Sequence, residues 1–246
     1  MTIPIIYLHW GQCNYLQKTM EKTSKYNSNV ILLDDNLIQQ YDYNAHEQFS
    51  SIYQHLSRGK FDFEYKCILR WFIIKNFVKQ NKIEKIFYCD SDVMLFTDIS
   101  QEWFVSEDLC IMEPHKYTCA SGHSSLWSLD ALSQFGDFIL HTYTNNFKVL
   151  QNFQNSGKGN VCDMFLIYLF GKNYPHQTLT KVYNNTVFDD NLATSTNHTR
   201  NEYEMKNNMK NIQFIDDIPY CKNIQLNKMI KFNSIHFWGH LKGQIS

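Results

Sequence analysis

The sequence predicts an α/β fold built on one mainly parallel sheet, and three observations carry that prediction. Short apolar runs at residues 3–8, 30–33 and 86–89 read as strands, and the stretches between them are helical in character. The run at 86–89 is apolar on both faces, as a strand inside a parallel sheet must be. It delivers the chain directly to Asp90-Ser91-Asp92, and a second apolar run, 93–96, carries it away. Ligands of open α/β sheets collect just beyond the carboxyl ends of strands, which is where these two aspartates fall. In an extended segment Asp90 and Asp92 project to one side and Ser91 to the other. Two hard oxygen ligands so placed suit Mg²⁺ or Mn²⁺ carrying a phosphorylated ligand. The triplet alone is common; its place at a strand end makes it informative.

The elements follow in order. The first strand, 3–8, ends at His9-Trp10-Gly11, where Gly11 permits a sharp turn or a close backbone approach to a ligand. A polar, weakly helical stretch reaches Lys25, and the second strand, 30–33, has Asp34-Asp35 at its end. No Gly-x-Gly-x-x-Gly accompanies this β-α-β unit, so a dinucleotide fingerprint is absent. A helix is expected over 44–56, ending at Arg58-Gly59, and a better one over 64–80, where Cys67, Ile68, Trp71, Phe72 and Val78 form an apolar face. Arg70 lies beside that face, either as a snorkelling surface residue or as a cation reaching the strand end that follows. Asp98-Ile99-Ser100 starts a turn or helix, 109–112 is a strand stopped by Glu113-Pro114, and 120–129 reads as loop then strand. A helix over 130–143 is followed by a polar, glycine-containing stretch at 145–160 that reads as a loop or flap. Residues 161–170 form an apolar helix interrupted by Asp163, whose carboxylate either serves the helix dipole or faces a ligand. Residues 194–211 read as a polar surface excursion, and 212–215 and 233–238 as short strands.

Composition bounds the function. At 246 residues, 43% hydrophobic and 15% aromatic, the chain suits one domain, 1–246, with a substantial core. A formal net charge of -1 argues against a nucleic-acid partner. Seven cysteines without a Cys-x-x-Cys pair fit neither a disulfide framework nor a zinc cluster. The N-terminus has no basic region leading a long apolar run, and no stretch approaches the ~20 apolar residues of a membrane span. The expectation is a cytoplasmic chain with at most peripheral membrane contact, in which the sequons at Asn184 and Asn197 are incidental.

Two separated segments carry a family resemblance. The stretch RWFIIKNFVKQNKIEKIFYCDSDVMLFTDI resembles the helix, strand and Asp-x-Asp of GT-A glycosyltransferases, and HFWGHLKG is similar to the His-x-x-Gly-x-x-Lys terminus of retaining family 8 enzymes and their bacterial relatives. The resemblance covers about a fifth of the chain and implies a GT-A-like, Rossmann-type domain. Its nucleotide-binding half would span about 1–100, with the acceptor side and a C-terminal closing segment over about 101–246. It implies Asp90, Asp92 and His236 as ligands to Mn²⁺ or Mg²⁺, with Lys242 on the donor diphosphate and Gly239 letting the loop pack over it. Arg70 would hold the nucleotide sugar, His9, Trp10 and Gly11 would face the nucleotide, and Ser121 would stand where an asparagine is usual, beside Gly122 and His123. Asp163 would be the acidic residue at the donor sugar, although the family's Asp-Gln pair is missing and Gly243 replaces a common proline. The implied activity is transfer of a hexose from a nucleotide sugar, UDP-linked by family habit, to a glycan, lipid-linked glycan or protein hydroxyl acceptor.

Retention is implied; an inverting enzyme would need a base, with Asp163 or Glu113 as candidates. The enzymatic rival is a phosphatase of the haloacid-dehalogenase type, with Phe214-Ile215-Asp216-Asp217 as its distal acidic motif. Against it, two strand–helix units precede the Asp-x-Asp strand here. A sugar-nucleotide-binding module without turnover is the other rival.

Overall fold

A computed structural model describes residues 2–113, 119–157, 159–193 and 202–245. Pro114, the Asn197 sequon and residues 194–201 of the expected excursion lie outside them.

The first half runs β1 (Ile5–Leu8), α1 (Leu16–Ser24), β2 (Val30–Leu33), α2 (Asp35–Ser50), α3 (Phe61–Gln80), β3 (Lys85–Cys89) and β4 (Val93–Leu95), then a 3-10 turn at Ile99–Gln101. There follow β5 (Leu109–Met112), β6 (Ser121–Ser128), α4 (Leu129–Asn145), α5 (Phe147–Asn155), α6 (Asp163–Gly171), β7 (Gln177–Thr178) and β8 (Thr186–Val187). The chain closes with β9 (Met205–Lys206), β10 (Met209–Lys210), β11 (Gln213–Ile215), β12 (Ile218–Asn223), β13 (Lys228–Phe232), β14 (Ser234–His236) and a 3-10 helix at Gly239–Gln244.

The central sheet has the order β2-β1-β3-β6-β5-β7. Three of its five pairings are parallel, and β6 runs antiparallel to both neighbours. The protein is α/β with a mainly parallel sheet, as the sequence predicts. Alternation along the strands divides the core. Ile6, Leu8, Ile86 and Tyr88 face one layer with residues of α2, α3, α4 and α6, while Ile5, Tyr7, Phe87 and Cys89 face the other with Leu16, Leu95, Phe104 and Phe188. Both faces of β1 and β3 are therefore covered, which is why their sequences show no polar alternation.

Several elements differ from the expectation. Helix α2 begins at Asp35, not 44, because Asp34 caps it: its side chain accepts from the Leu37 amide at 3.0 Å. It also ends at Ser50, before Arg58-Gly59. The 145–160 stretch is not a flap; Phe147–Asn155 is helical, anchored by buried Leu150 and by Phe153 stacked on Phe165 with centroids 3.6 Å apart. Its polar residues form the solvent face of a short amphipathic helix. Residues 121–128 are strand throughout. A second sheet, β11-β12-β13-β8, arises from residues 186–232 and was largely unforeseen.

One close approach fixes how α3 meets the sheet. A Cβ built on Gly122 would lie 2.5 Å from the ring of buried Trp71. Gly122→Ala should destabilise the protein by about 1–3 kcal/mol through overpacking. An unchanged midpoint of thermal unfolding would show that Trp71 yields without penalty.

Candidate active site

The site forms where β3 stops. The Asp90 amide donates to the His123 carbonyl of β6 at 2.9 Å, and the Val93 amide donates to the Asp90 carbonyl at 3.0 Å. Residues 90–93 thus form a turn, not the extended segment expected, so strand alternation does not govern the two aspartates. Each carboxylate has its own partners.

Asp90 belongs to a guanidinium cluster. Arg70, one-seventh exposed on α3, donates from Nη1 to Asp90 Oδ1 at 2.7 Å and from Nη2 to Asp163 Oδ2. It also donates from Nε to the Cys67 carbonyl at 3.0 Å and from Nη1 to the Tyr88 hydroxyl at 2.9 Å. Tyr88 in turn donates to Asp90 Oδ1 at 2.7 Å, and Trp71 Nε1 to Asp163 Oδ2 at 3.3 Å. Burial pushes the Asp90 carboxyl up, but the Arg70 guanidinium and the Tyr88 bond outweigh it and hold it below the usual carboxylate range. Arg70 is therefore a largely buried partner of Asp90 and Asp163, and of its two readings the snorkelling surface one does not hold. Asp163, first residue of α6, is buried against the same guanidinium.

Asp92 belongs to the C-terminal segment. Strand β14 pairs antiparallel with β4, His236 opposite Val93, and the Phe237 amide donates to the Asp92 carbonyl at 3.0 Å. This pairing sets His236 Nε2 3.6 Å from Asp92 Oδ1 and Lys242 Nζ 2.9 Å from Asp92 Oδ2. Burial lowers the Lys242 affinity for its proton, and Asp92 more than reverses that, so the ammonium is held above its ordinary value. Gly239 starts the terminal 3-10 helix at φ +64°, and no atom crowds the place a Cβ would take. Its backbone angle is what that position requires, since other residues rarely adopt it.

The histidine tautomers follow from their partners. A backbone carbonyl can only accept, so His236 donates from Nδ1 to the Asp190 carbonyl at 2.9 Å, and its Nε2 faces Asp92. His123 donates from Nε2 to the Asp189 carbonyl at 3.2 Å, and the Ser121 hydroxyl donates to its Nδ1 at 2.7 Å. The two imidazoles stack with centroids 4.1 Å apart. Asp189 and Asp190, with buried Lys210 between their carboxylates, are site-building residues that sequence reasoning missed. A single lysine in a charge-mixed stretch carries no signal that could have found them.

The first-strand loop lies in the same field. Half-buried His9 is pushed down by burial and by Lys242, against the opposing pull of Asp35, Asp92 and Asp90. Gly11, at φ +76°, donates its amide to Asp35 Oδ2 at 3.0 Å, and Lys66 Nζ sits 5.4 Å from the Trp10 ring centroid. Glu113 pairs with His176 at 3.2 Å.

Among the described residues no three carboxylate, imidazole or thiol groups stand round one point, because Asp90 is turned toward Arg70 and Tyr88. The donor chemistry nevertheless fits a divalent ion at Asp92 and His236. A carboxylate oxygen and an imidazole nitrogen face one another at 3.6 Å, an arrangement that a cation between them suits. The Nδ1–H bond to a carbonyl is the outer partner that orients a metal-binding histidine. The phosphatase motif finds no such place: Asp216 and Asp217 occupy an exposed hairpin turn at φ +50° and +66°.

His123 supplies a pH test for the chelator-treated protein. Burial and the neighbouring His236 push its pKa down to about 3, so it stays neutral in the folded chain while the unfolded chain protonates near pH 6.5. A depressed histidine is fully compatible with stability above pH 6.5 and withdraws about 1.4 kcal/mol per pH unit as pH falls from there toward 3. His123→Gln should flatten that decline by about one proton in chemical unfolding measured from pH 7 to 4. An identical slope in the variant would refute it.

Comparison with solved structures finds glycosyltransferases at low sequence identity. Mouse xyloside xylosyltransferase 1 is 11% identical, with 76% of this chain and 88% of that one aligned and a TM-score of 0.49. The galactosyltransferase LgtC, solved with donor and acceptor sugar analogs, is 10% identical over 97% of this chain and 88% of that one, at 0.46. A glycosyltransferase involved in glycosylation of the PBCV-1 major capsid is 13% identical over 77% and 85%, at 0.43. No protein-family model and no curated protein matches the sequence.

Proposed function

We propose that the chain is a GT-A glycosyltransferase that takes a hexose from a nucleotide sugar, with UDP as the base-bearing carrier, and passes it to a hydroxyl acceptor with retention. The observation that carries this reading is the β4–β14 pairing, which sets His236 and Lys242 on Asp92 beside the Arg70-held Asp90. Two carboxylates, two cations and an imidazole gathered beyond the end of β3 suit a diphosphate and its counter-ion.

In this reading Asp92 and His236 hold Mn²⁺ or Mg²⁺, with Asp90 as their neighbour. The ion, when bound, supplies Lewis-acid stabilisation of the negative charge that the departing diphosphate develops. Lys242 adds a fixed cation to the diphosphate without moving a proton. Arg70 presents its planar fork to donor oxygens, and Asp163 meets the sugar with the oxygen that Arg70 does not occupy. Asp163, paired with Arg70, is better suited to holding hydroxyls than to accepting a proton, and Glu113 is engaged by His176. That leaves the leaving phosphate as the acceptor of the incoming hydroxyl's proton, which favours retention. His9, Trp10 and Gly11 lie on the nucleotide side, Ser121 on the sugar side and Gly239 in the closing loop. Among the described residues no helix is long and apolar enough to cross a membrane.

The test is a panel of nucleotide sugars with Mn²⁺, read by hydrolysis and by thermal stabilisation. Mn²⁺-dependent hydrolysis of one UDP-hexose is the expected result. Stabilisation without turnover would make the chain a binding module, and no response to any donor would overturn the proposal. Removing residues 236–246 is a poor second test, because Leu241 and Ile245 pack in a core cluster with Met94, Phe96 and Ile235. Lys242→Gln is cleaner, since that side chain is 37% exposed and glutamine removes the positive charge while keeping a hydrogen-bond donor for the buried Asp92 carboxylate. A weaker donor affinity with an unchanged fold is expected; unaltered affinity would place Lys242 outside the diphosphate site.

A further inference from the structure

We propose that Lys210 is a positioning residue for His236, acting through Asp189 and Asp190; the inference rests on the glycosyl-transfer reading only for what His236 then binds. The Lys210 side chain is 1% exposed and donates from Nζ to Asp189 Oδ1, to Asp190 Oδ1 at 2.8 Å and to the Asn191 carbonyl at 2.9 Å. Its ammonium also lies 5.5 Å from the Tyr203 ring centroid and 5.6 Å from that of Phe232. One buried cation thus grips three consecutive residues.

Three further polar groups of Asp189 and Asp190 reach the two histidines. The second Asp189 oxygen accepts the His236 amide at 3.0 Å, the Asp190 carbonyl accepts His236 Nδ1–H, and the Asp189 carbonyl accepts His123 Nε2–H. Both stacked imidazoles are therefore oriented by the backbone of the two residues whose carboxylates Lys210 neutralises. The Leu192 amide donates to the His236 carbonyl at 3.2 Å, which ties the same segment to β14 again. Two adjacent carboxylates this deeply buried stay ionised together only with a cation beside them. The consequence is specific: Lys210 keeps the His236 Nδ1–H on the Asp190 carbonyl, with Nε2 facing Asp92 Oδ1. A merely structural ion pair would leave that tautomer unaffected.

The experiment reads the tautomer directly. Ring nitrogens of ¹⁵N-histidine-labelled protein are followed by long-range ¹H–¹⁵N correlation at pH 8 in chelator, with His236→Gln identifying the signals, and Mn²⁺ binding is titrated separately. Lys210→Met is the simplest variant. Because it leaves two buried carboxylates unneutralised and can unfold the chain, the neutral combination Asp189→Asn, Asp190→Asn, Lys210→Met is the second; neutral replacements of buried ion triads are often tolerated. The wild type should show His236 in the Nδ1–H form alone. The folded variant should show a mixture of tautomers and bind Mn²⁺ about tenfold more weakly, the scale of lost outer partners at metal sites. A folded neutral variant that keeps the single tautomer and the Mn²⁺ affinity would overturn the assignment. Loss of the tautomer in the variant, with no Mn²⁺ binding by the wild type, would overturn the metal reading and leave the positioning role standing.

Discussion

Arg70→Ala should destabilise the protein by about 3–5 kcal/mol, the scale for removing one partner from a buried ion pair. The effect comes from what is left behind. Asp163 is 4% exposed and, among the described residues, would keep only the 3.3 Å side-chain bond from Trp71, while Asp90, with 29% of its side chain exposed, can turn to water. Chemical unfolding at pH 7 measures the loss. Arg70→Ala combined with Asp163→Asn should recover part of it, because the stranded charge is gone; equal losses in the single and double variants would show that Arg70 stabilises through packing alone. Arg70→Lys separates folding from function. It keeps the cation but lacks the fork that reaches Asp90 and Asp163 together, so donor affinity should fall even where the variant stays folded. Unchanged donor binding would remove Arg70 from the binding site.

Asp92→Asn should lower Mn²⁺-dependent turnover on the order of 10²–10³-fold, the equivalent of the several kcal/mol that a Lewis acid contributes to a phosphate leaving group. Asparagine keeps the shape and can still accept from Lys242, so the fold should hold. What it loses is the charge that lies between Lys242 and His236. Nucleotide-sugar hydrolysis across a Mn²⁺ titration decides the matter. Full turnover at low Mn²⁺ would place the metal, or the chemistry, elsewhere.

Much of the nucleotide-side architecture was legible in the sequence because its strands are continuous apolar runs with matching breaks. β2 and β5 appear at the expected residues, and β1 and β3 within two. Helix α3 was legible as a long run rich in apolar residues, but the start of α2 was not, since capping by Asp34 defines it. The polar stretch that became α5 misled for a related reason: one buried leucine and one stacked phenylalanine suffice to hold nine residues as a helix.

The site divides along the same line. By itself the sequence determined which residue types end β3 and which close the chain, because a carboxylate pair after an apolar run and a His-x-x-Gly-x-x-Lys terminus are local patterns. Only the tertiary structure decided their relations. The turn at 90–93 sends Asp90 to Arg70 and Asp92 to Lys242, and the β4–β14 pairing brings His236 to the latter. Nor could local pattern reveal the Asp189–Asp190–Lys210 ion cluster behind the two histidines. Periodicity and capping act over a few residues and are written in neighbouring letters. The pairing of a buried cation with distant carboxylates is set by where packed elements leave room for it, and that is a property of the folded chain.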